Sequence, residues 1–228
     1  MTKKRVLVFA SGSATGGGSG FANLVRQSRK LGLPFEVISV VTNHINGGVA
    51  DHAQKLDVPL MVSPNPLTAH NYERLFSNYR ADLVVLSGWL KPVAGLPQEK
   101  VINIHPGPLP EFGGKGMYGH RVHEAVMAAH REGRISQSAV CMHFVPPYEK
   151  TSSGDNYDSG PVFAKVPVEI YRHYDAEALG RAVNAVEHAI QPAFTALVAE
   201  GRISLIRGRV VMDNQAWREG KNLPKEYL

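Results

Sequence analysis

Short β-branched runs alternate with amphipathic stretches along the first hundred residues. Short apolar runs predict buried strands, and apolar positions that recur at helical spacing predict helices. This βαβ repetition predicts a mostly parallel, twisted sheet with helices on both faces, which is a Rossmann-like arrangement. The predicted strands are Arg5–Ala10, Phe35–Val41, Pro59–Val62, Asp82–Ser87 and Lys100–Ile104, and the predicted helices lie near Phe21–Leu31, Val49–Leu56 and Thr68–Tyr79.

The second half of the chain has a different pattern. A helix is predicted near Gly119–Arg131, and two longer alternating segments, Ser138–Val145 and Pro161–Val168, are predicted to add antiparallel strands to the sheet. An apolar stripe between Ala178 and Phe194 predicts a long helix, which Pro192 is expected to kink or interrupt. Ile203–Ile206 and Arg209–Met212, with Arg207 and Gly208 between them, predict a hairpin.

The fold class expected from these elements is therefore α/β, organised as a single domain. We expect residues 1–99 to form a nucleotide- or phosphate-binding half, 100–212 a catalytic half, and 213–228 a polar tail. The length of 228 residues suffices for one well-cored domain, and a hydrophobic content of 43% is ordinary for a globular protein. The single cysteine excludes an intrachain disulfide and suits a reducing cytoplasm.

The charge pattern favours small-molecule partners. The net charge is +5, but lysine and arginine are scattered, whereas a nucleic-acid footprint would be denser. The apolar run that follows the first basic residues breaks at Ser11 and is too short for a signal core or a membrane span. We therefore expect small-molecule substrates, no nucleic acid and no membrane, with a homodimer left open.

The stretch Val101–Pro110 is the most informative in the chain. Asn103 and His105 lie two apart at the end of a predicted strand, so both side chains point to the same face. In an open parallel sheet, ligands bind beyond the carboxyl ends of the strands. An amide beside an imidazole at that edge suits a reaction in which a carbonyl oxygen gains negative charge.

A glycine-rich loop, Ser11–Gly20, connects the first strand to the first helix. Its glycines let backbone N–H groups converge, and the helix N-terminus favours an anion, so a phosphate site is predicted. Neither a dinucleotide-binding fingerprint nor a Gly-Lys-Ser/Thr nucleotide motif is present, which disfavours nicotinamide and ATP chemistry.

Three further polar groups are candidates for a site. Asp158 lies in a turn before a predicted strand, from which it could orient His105 and raise its pKa. Glu187, followed by His188, lies beside the apolar stripe of the last long helix; taken alone, it is a solvated residue or a ligand of sugar hydroxyls. His120 and His123 have metal-like spacing, but no further ligands match, so no metal is predicted.

A series of motifs follows in order along most of the chain: Ser11-Gly12, Thr42-Asn43, Asp82–Trp89, Asn103–Pro106, Leu109-Pro110, His143–Val145, Asp158–Val162, Glu187-His188 and Pro192. This series resembles the phosphoribosylglycinamide formyltransferases of purine synthesis. The resemblance implies formyl transfer from the co-substrate 10-formyltetrahydrofolate to the primary amine of glycinamide ribonucleotide, without a metal.

The resemblance also implies roles for individual residues. Asn103, His105 and Asp158 correspond to the catalytic trio, and Glu187 to the ligand of the ribose hydroxyls. The substrate phosphate would be held by Gly16, Gly17, Gly18, Ser19 and Gly20. The folate pocket would be formed by Trp89, Leu90, Lys91, Pro92, Val93, Val145 and Asp158.

The sequence departs from the family pattern in two places. The glycine loop is longer than usual, with Gly20 where asparagine is common, and Pro147–Asn156 includes extra residues before Asp158.

Alternative functions also remain. Methionyl-tRNA formyltransferase would need a further C-terminal domain, and formyltetrahydrofolate hydrolase a further N-terminal one. A sugar N-formyltransferase and, from a different class, a non-catalytic nucleotide- or folate-binding protein stay open.

Overall fold

The computed structural model describes residues 2–151 and 154–214. Most of the predicted tail, 213–228, therefore lies outside the described residues. The strands are β1 Lys4–Phe9, β2 Phe35–Thr42, β3 Leu60–Val62, β4 Leu83–Leu86, β5 Val101–His105, β6 Gln137–Phe144, β7 Lys150–Thr151, β8 Gly154–Asp155, β9 Val162–Glu169, β10 Ile203–Ile206 and β11 Arg209–Met212. The helices are α1 Ser19–Lys30, α2 Gly48–Lys55, α3 Ala69–Asn78, α4 His120–Arg131 and α5 Ala176–Ala199, with a 3₁₀ turn at Gln98–Lys100.

One seven-stranded sheet, in the order β3-β2-β1-β4-β5-β6-β9, organises the molecule. The first five strands of that order pair in parallel, and β6 and β9 add antiparallel pairs. The predicted α/β fold with antiparallel strands in the second half is therefore confirmed. The strand order reverses between β1 and β4, and the carboxyl ends at such a switch point form the usual ligand crevice.

Successive side chains of β1 point to opposite faces of the sheet and so join two different parts of the core. Val6 and Val8 join the cluster formed with α1, α2, α4 and α5, whereas Leu7 and Phe9 pack with α3 residues such as Tyr72. Both sets are fully buried, as expected for a central parallel strand covered on both faces. The sheet edge that carries the carboxyl ends of β1, β4 and β5 is thus held rigidly from both sides.

The expected interruption of the last long helix at Pro192 is wrong. Helix α5 runs without a break from Ala176 to Ala199. Proline cannot donate to the carbonyl four residues earlier, which here belongs to His188. The side-chain amide of Asn23 donates to that carbonyl at 2.7 Å, so the acceptor freed by the proline stays satisfied. The same bond ties α5 to α1.

The other predicted elements are present, with boundaries shifted by a few residues. The β10–β11 hairpin also forms as expected. The short β7–β8 pair, within the extra residues before Asp158, and the 3₁₀ turn were not predicted. No helix in the described part of the chain is long and apolar enough to cross a membrane.

Candidate active site

A cavity of about 720 Å³ opens at the carboxyl edge of the sheet. Its volume is in the range usual for small-molecule sites. Loops after β4 and β5, the end of β6, the N-terminus of α1 and one face of α5 form its walls. Asn103, His105 and Asp158 all line it, so the structure brings the predicted trio together.

Strand pairing adds a histidine to this group that sequence reasoning left without a role. In the antiparallel register of β5 and β6, His143 lies directly opposite Asn103. Its side chain is 1% exposed and its Nε2 lies 3.1 Å from the Asn103 amide nitrogen. Its Nδ1 lies 3.1 Å from the carbonyl oxygen of Phe144 and must donate to it, because a carbonyl only accepts. With a hydrogen on Nδ1, the ring can present Nε2 as the acceptor for the Asn103 amide.

Asp158 is the centre of the hydrogen-bond network. Its Oδ1 accepts from the amide of Asn103 at 3.3 Å, and its Oδ2 accepts from the Gly114 backbone N–H at 3.1 Å. Its backbone has a φ of 54°, in the left-handed region, so the turn before β9 holds it in an uncommon conformation. Burial raises the pKa of this carboxyl, but its proximity to the His143 and His105 imidazoles and the hydrogen bond from the Gly114 N–H outweigh burial and hold the pKa below its usual value.

His105 is held at both ring nitrogens. Nε2 lies 2.7 Å from the carbonyl oxygen of Phe112 and must donate to it, and Nδ1 lies 3.6 Å from Asp158 Oδ2. Burial lowers the pKa of His105, and the opposing effect of Asp158 only partly offsets it. Asp158 thus raises this pKa, as expected, but by less than burial lowers it, and Nδ1 faces Asp158 while Nε2 donates to Phe112. The role expected for Asp158, to keep this imidazole charged, stays a prediction.

Asn103 also differs from the expected arrangement. Its two amide hydrogens point towards His143 Nε2 and Asp158 Oδ1, so both are engaged within the protein. Sequence reasoning predicted that this amide donates to a substrate oxygen. The longer bond, to Asp158, is the one that an incoming acceptor can replace.

The glycine-rich loop is fixed against α2 rather than projecting freely. Gly17 and Gly18 have φ values of 86° and 82°. A Cβ at Gly17 would lie 2.6 Å from the Gly12 Cα, and one at Gly18 would lie 3.0 Å from the Val49 Cα. Of the predicted phosphate ligands, Ser19 lines the cavity. Helix α1 begins there without a side-chain cap, so its first-turn N–H groups are available to an anion.

The absence of a side chain at position 20 has a specific cause. A Cβ at Gly20 would lie 2.6 Å from Ser87 Oγ and 3.5 Å from Gln191 Oε1. Ser87 and Gln191 are buried and hydrogen-bonded to each other at 3.3 Å. They fill the space that an asparagine side chain would need, which accounts for this departure from the family pattern.

Glu187 faces the same cavity from α5 and is half-buried. Burial raises the pKa of its carboxyl to about 7, although the nearby Asn184 side chain acts in the opposite direction. A carboxyl that titrates near neutrality, in the cavity that Ser19 at the start of α1 also lines, suits hydroxyl groups of a ligand whose anion binds at that helix.

The predicted folate wall also lines the cavity. Trp89 is largely buried. Its indole Nε1 donates to the Tyr72 hydroxyl at 2.9 Å, and its ring packs against Phe9. Leu90 is exposed, and Tyr148, from the extra residues, was not predicted to take part. The residues of this wall are Trp89, Leu90, Lys91, Pro92, Val93, Val145, Tyr148 and Tyr157.

Among residues 2–151 and 154–214, no group of three or more His, Cys, Asp or Glu side chains is arranged so that it could hold a metal ion. The two histidines with metal-like spacing have other environments. His120 pairs with Glu124 at 3.6 Å, and His123 is buried against Gly180, where burial, followed by the charges of His120 and His105, lowers its pKa to about 4.

Comparisons with known proteins agree with this geometry. Residues 4–195 match the family described as formyl transferase. The chain is 30% identical to the chloroplastic phosphoribosylglycinamide formyltransferase of Arabidopsis thaliana, over 99% of this chain and 74% of that protein. It is 32% identical to the corresponding protein of Vigna unguiculata, over 88% of this chain and 62% of that protein.

A solved structure supports the same assignment. Glycinamide ribonucleotide transformylase 1 from Symbiobacterium toebii superposes with a TM-score of 0.74 and 27% identity, and the match covers 92% of this chain and 95% of that one. The family match spans most of the chain, including β5 with Asn103 and His105 and the turn with Asp158. The chain therefore belongs to the formyl transferase family, in the group of the phosphoribosylglycinamide formyltransferases.

Proposed function

We propose that this protein transfers a formyl group from 10-formyltetrahydrofolate to the primary amine of glycinamide ribonucleotide. The observation that carries the proposal is the convergence of Asn103, His105 and Asp158 on one cavity. The relatives named for this activity, which match along most of the chain, support the choice of acceptor.

The two ends of the cavity suit the two substrates. The ribonucleotide phosphate would bind at the N-terminus of α1, where Ser19 meets the cavity, and the ribose hydroxyls would donate to Glu187. The folate would lie along the wall that includes Trp89–Val93 and Val145. The amine and the formyl group would then meet beside His105.

The arrangement of His105 supports a defined proton path. As the amine nitrogen attacks the formyl carbon, the Nδ1 lone pair of His105 takes the amine proton, directly or through water. The imidazolium formed in this way is stabilised by Asp158, whose Oδ2 lies 3.6 Å away. A charge on a buried imidazole is unfavourable, but here it arises only in the step in which Asp158 stabilises it.

Asn103 and His105 then act on the developing charge. The amide hydrogen that Asn103 directs at Asp158 turns to the formyl oxygen as it becomes negative, while the other stays on His143. When the bond between the formyl carbon and the folate nitrogen breaks, the proton passes from His105 to that nitrogen. The imidazole returns to its neutral form.

The formyl donor, the small-molecule partners and the cytoplasmic compartment form part of this proposal. Membership of the formyl transferase family supports a formyl-folate donor. The single, buried cysteine, Cys141, supports a reducing compartment.

The acceptor is tested by following the folate absorbance on formyl transfer. Glycinamide ribonucleotide should be formylated, whereas water should be a poor acceptor, since water makes none of the phosphate and ribose contacts that the cavity offers. Folate deformylation in a water-only control at a rate equal to that with the amine would instead favour the hydrolase alternative.

The role of Glu187 predicts a pH dependence of ribonucleotide affinity. The carboxylate accepts hydrogen bonds from hydroxyls better than the acid, and the pKa of about 7 places the change near neutrality. Affinity measured by calorimetry should therefore rise between about pH 6 and pH 8. Titration of the substrate phosphate also contributes, so the wild-type curve must be compared with that of Glu187→Gln. Identical pH dependence in both proteins would remove Glu187 from the site.

A further inference from the structure

Asp155 is a charged residue that the proposed function does not use, although only two residues separate it from Asp158. Its side chain is only 7% exposed and both carboxylate oxygens have partners. The Tyr148 hydroxyl donates to Oδ1 at 2.7 Å, and the Lys115 ammonium lies 3.1 Å from Oδ2. The hydrogen bond from Tyr148, followed by that from Lys115, lowers the pKa of Asp155, so the ionised form is favoured.

These contacts join two separate segments of the chain. Lys115 belongs to the segment 113–119 between β5 and α4, whereas Asp155 and Tyr148 belong to the segment 147–157 that precedes Asp158. The residue before Lys115 is Gly114, whose N–H donates to Asp158 Oδ2 at 3.1 Å. Gly114 and Lys115, which are adjacent, therefore contact Asp158 and Asp155, respectively.

The described residues of the segment 147–157 make further hydrogen bonds, some of them with one another. Asn156 accepts from the Glu149 N–H at 2.8 Å and donates to the Pro147 carbonyl at 2.9 Å. The backbone N–H of Tyr148 also bonds the Val93 carbonyl. These bonds do not involve Lys115, whereas the pair between Asp155 and Lys115 links this segment to the residue next to Gly114.

An isolated ion pair on a surface contributes little, and the Lys115 side chain is 77% exposed. This pair differs because its acidic partner is shielded from solvent and is fixed by a second hydrogen bond from Tyr148. A small displacement of Gly114 would lengthen its bond to Asp158, and catalysis is sensitive to such displacements. The arrangement is therefore suited to keep the Asp158 carboxylate aligned with its partners.

We propose that Asp155 and Lys115 are positioning residues, which fix the Gly114 amide against Asp158 and so align Asp158 with His105. This role rests on the proposed function for its effect on formyl transfer. The clamp formed by Asp155 and Lys115 takes its acidic member from the extra residues Pro147–Asn156, so the lengthened segment contributes to the alignment of Asp158.

The test combines kinetics with hydrogen exchange in the full chain. Asp155→Asn, Lys115→Met, the double variant and Lys115→Arg are compared with Lys4→Met and Asp82→Asn. Lys4 and Asp82 form a second lysine–aspartate pair, at 3.8 Å, near the start of β1 and away from the cavity. The rate constant kcat is expressed per ribonucleotide-binding site counted by calorimetry, so that loss of folded protein does not imitate loss of catalysis.

The expected kinetic result is a loss in kcat of about tenfold for Asp155→Asn and for Lys115→Met, with KM for the ribonucleotide within about twofold of wild type. The double variant should be no slower than the single ones, because the pair acts as a unit. Lys115→Arg should recover most of kcat, and the control pair should leave it unchanged.

Hydrogen exchange of the Gly114 amide provides a second measurement that does not require turnover. Exchange should be about tenfold faster in Asp155→Asn and Lys115→Met and unchanged in the two controls. Unchanged exchange and kcat in both clamp variants would overturn the positioning role. Absence of formyl transfer in the wild-type protein would overturn the proposed function instead, and the Gly114 exchange rates would still decide whether the clamp exists.

Discussion

Replacement of Asp158 by asparagine is expected to lower kcat by about three orders of magnitude, with substrate affinities changed much less. The carboxylate compensates the charge that His105 gains only when it takes the amine proton, so its loss falls mainly on the transition state. An asparagine amide also places a donor against the Gly114 N–H or the Asn103 amide, both of which now donate to the carboxylate. Initial rates and calorimetric affinities for both substrates measure the two effects.

Asp57→Asn is the matched control for this experiment. Asp57 is exposed and has a φ of 51°, close to the 54° of Asp158, so the same substitution is made in the same backbone conformation outside the site. We expect wild-type kcat from this variant. Near wild-type kcat from Asp158→Asn would exclude Asp158 from the proton path.

Much of the catalytic edge was predictable because its geometry is local. The positions of Asn103 and His105 follow from strand parity within five residues, and their location follows from the general rule for parallel sheets. His143 was quoted as part of a motif but given no role, because its place beside Asn103 depends on the register between β5 and β6. Register between segments distant in sequence is set by packing that a local pattern does not contain.

The direction in which the pKa of His105 shifts could not be predicted from the sequence, for a related reason. Sequence reasoning identified Asp158 as the group that raises the pKa, and that contribution is present. The larger contribution is burial, which depends on how Phe112 and the surrounding strands enclose the ring.

The continuity of α5 at Pro192 was missed for the same kind of reason. The rule that proline ends a helix is local, but the Asn23 side chain that satisfies the His188 carbonyl comes from another helix.

Replacement of Gly18 by valine is expected to weaken ribonucleotide binding by about a hundredfold while leaving folate affinity nearly unchanged. Gly18 is the N-cap of α1 and has a φ of 82°, where a β-branched residue is strained. A Cβ there would also lie 3.0 Å from the Val49 Cα and 3.2 Å from its nitrogen, so the loop must move away from α2. The first-turn N–H groups that would hold the phosphate move with it.

Gly17→Val should have a similar effect, because its Cβ would lie 2.6 Å from the Gly12 Cα and its φ is also positive. Gly133→Val separates strain from site geometry: Gly133 has a φ of 72° with no atom within 4 Å of an added Cβ, and it lies after α4 rather than near the start of α1. We expect it to lower the unfolding temperature without changing ribonucleotide affinity. Calorimetry with the ribonucleotide and with folate measures both ligands on each variant. Equal losses of both affinities in Gly18→Val, or wild-type ribonucleotide affinity in that variant, would show that the phosphate does not bind at the N-terminus of α1.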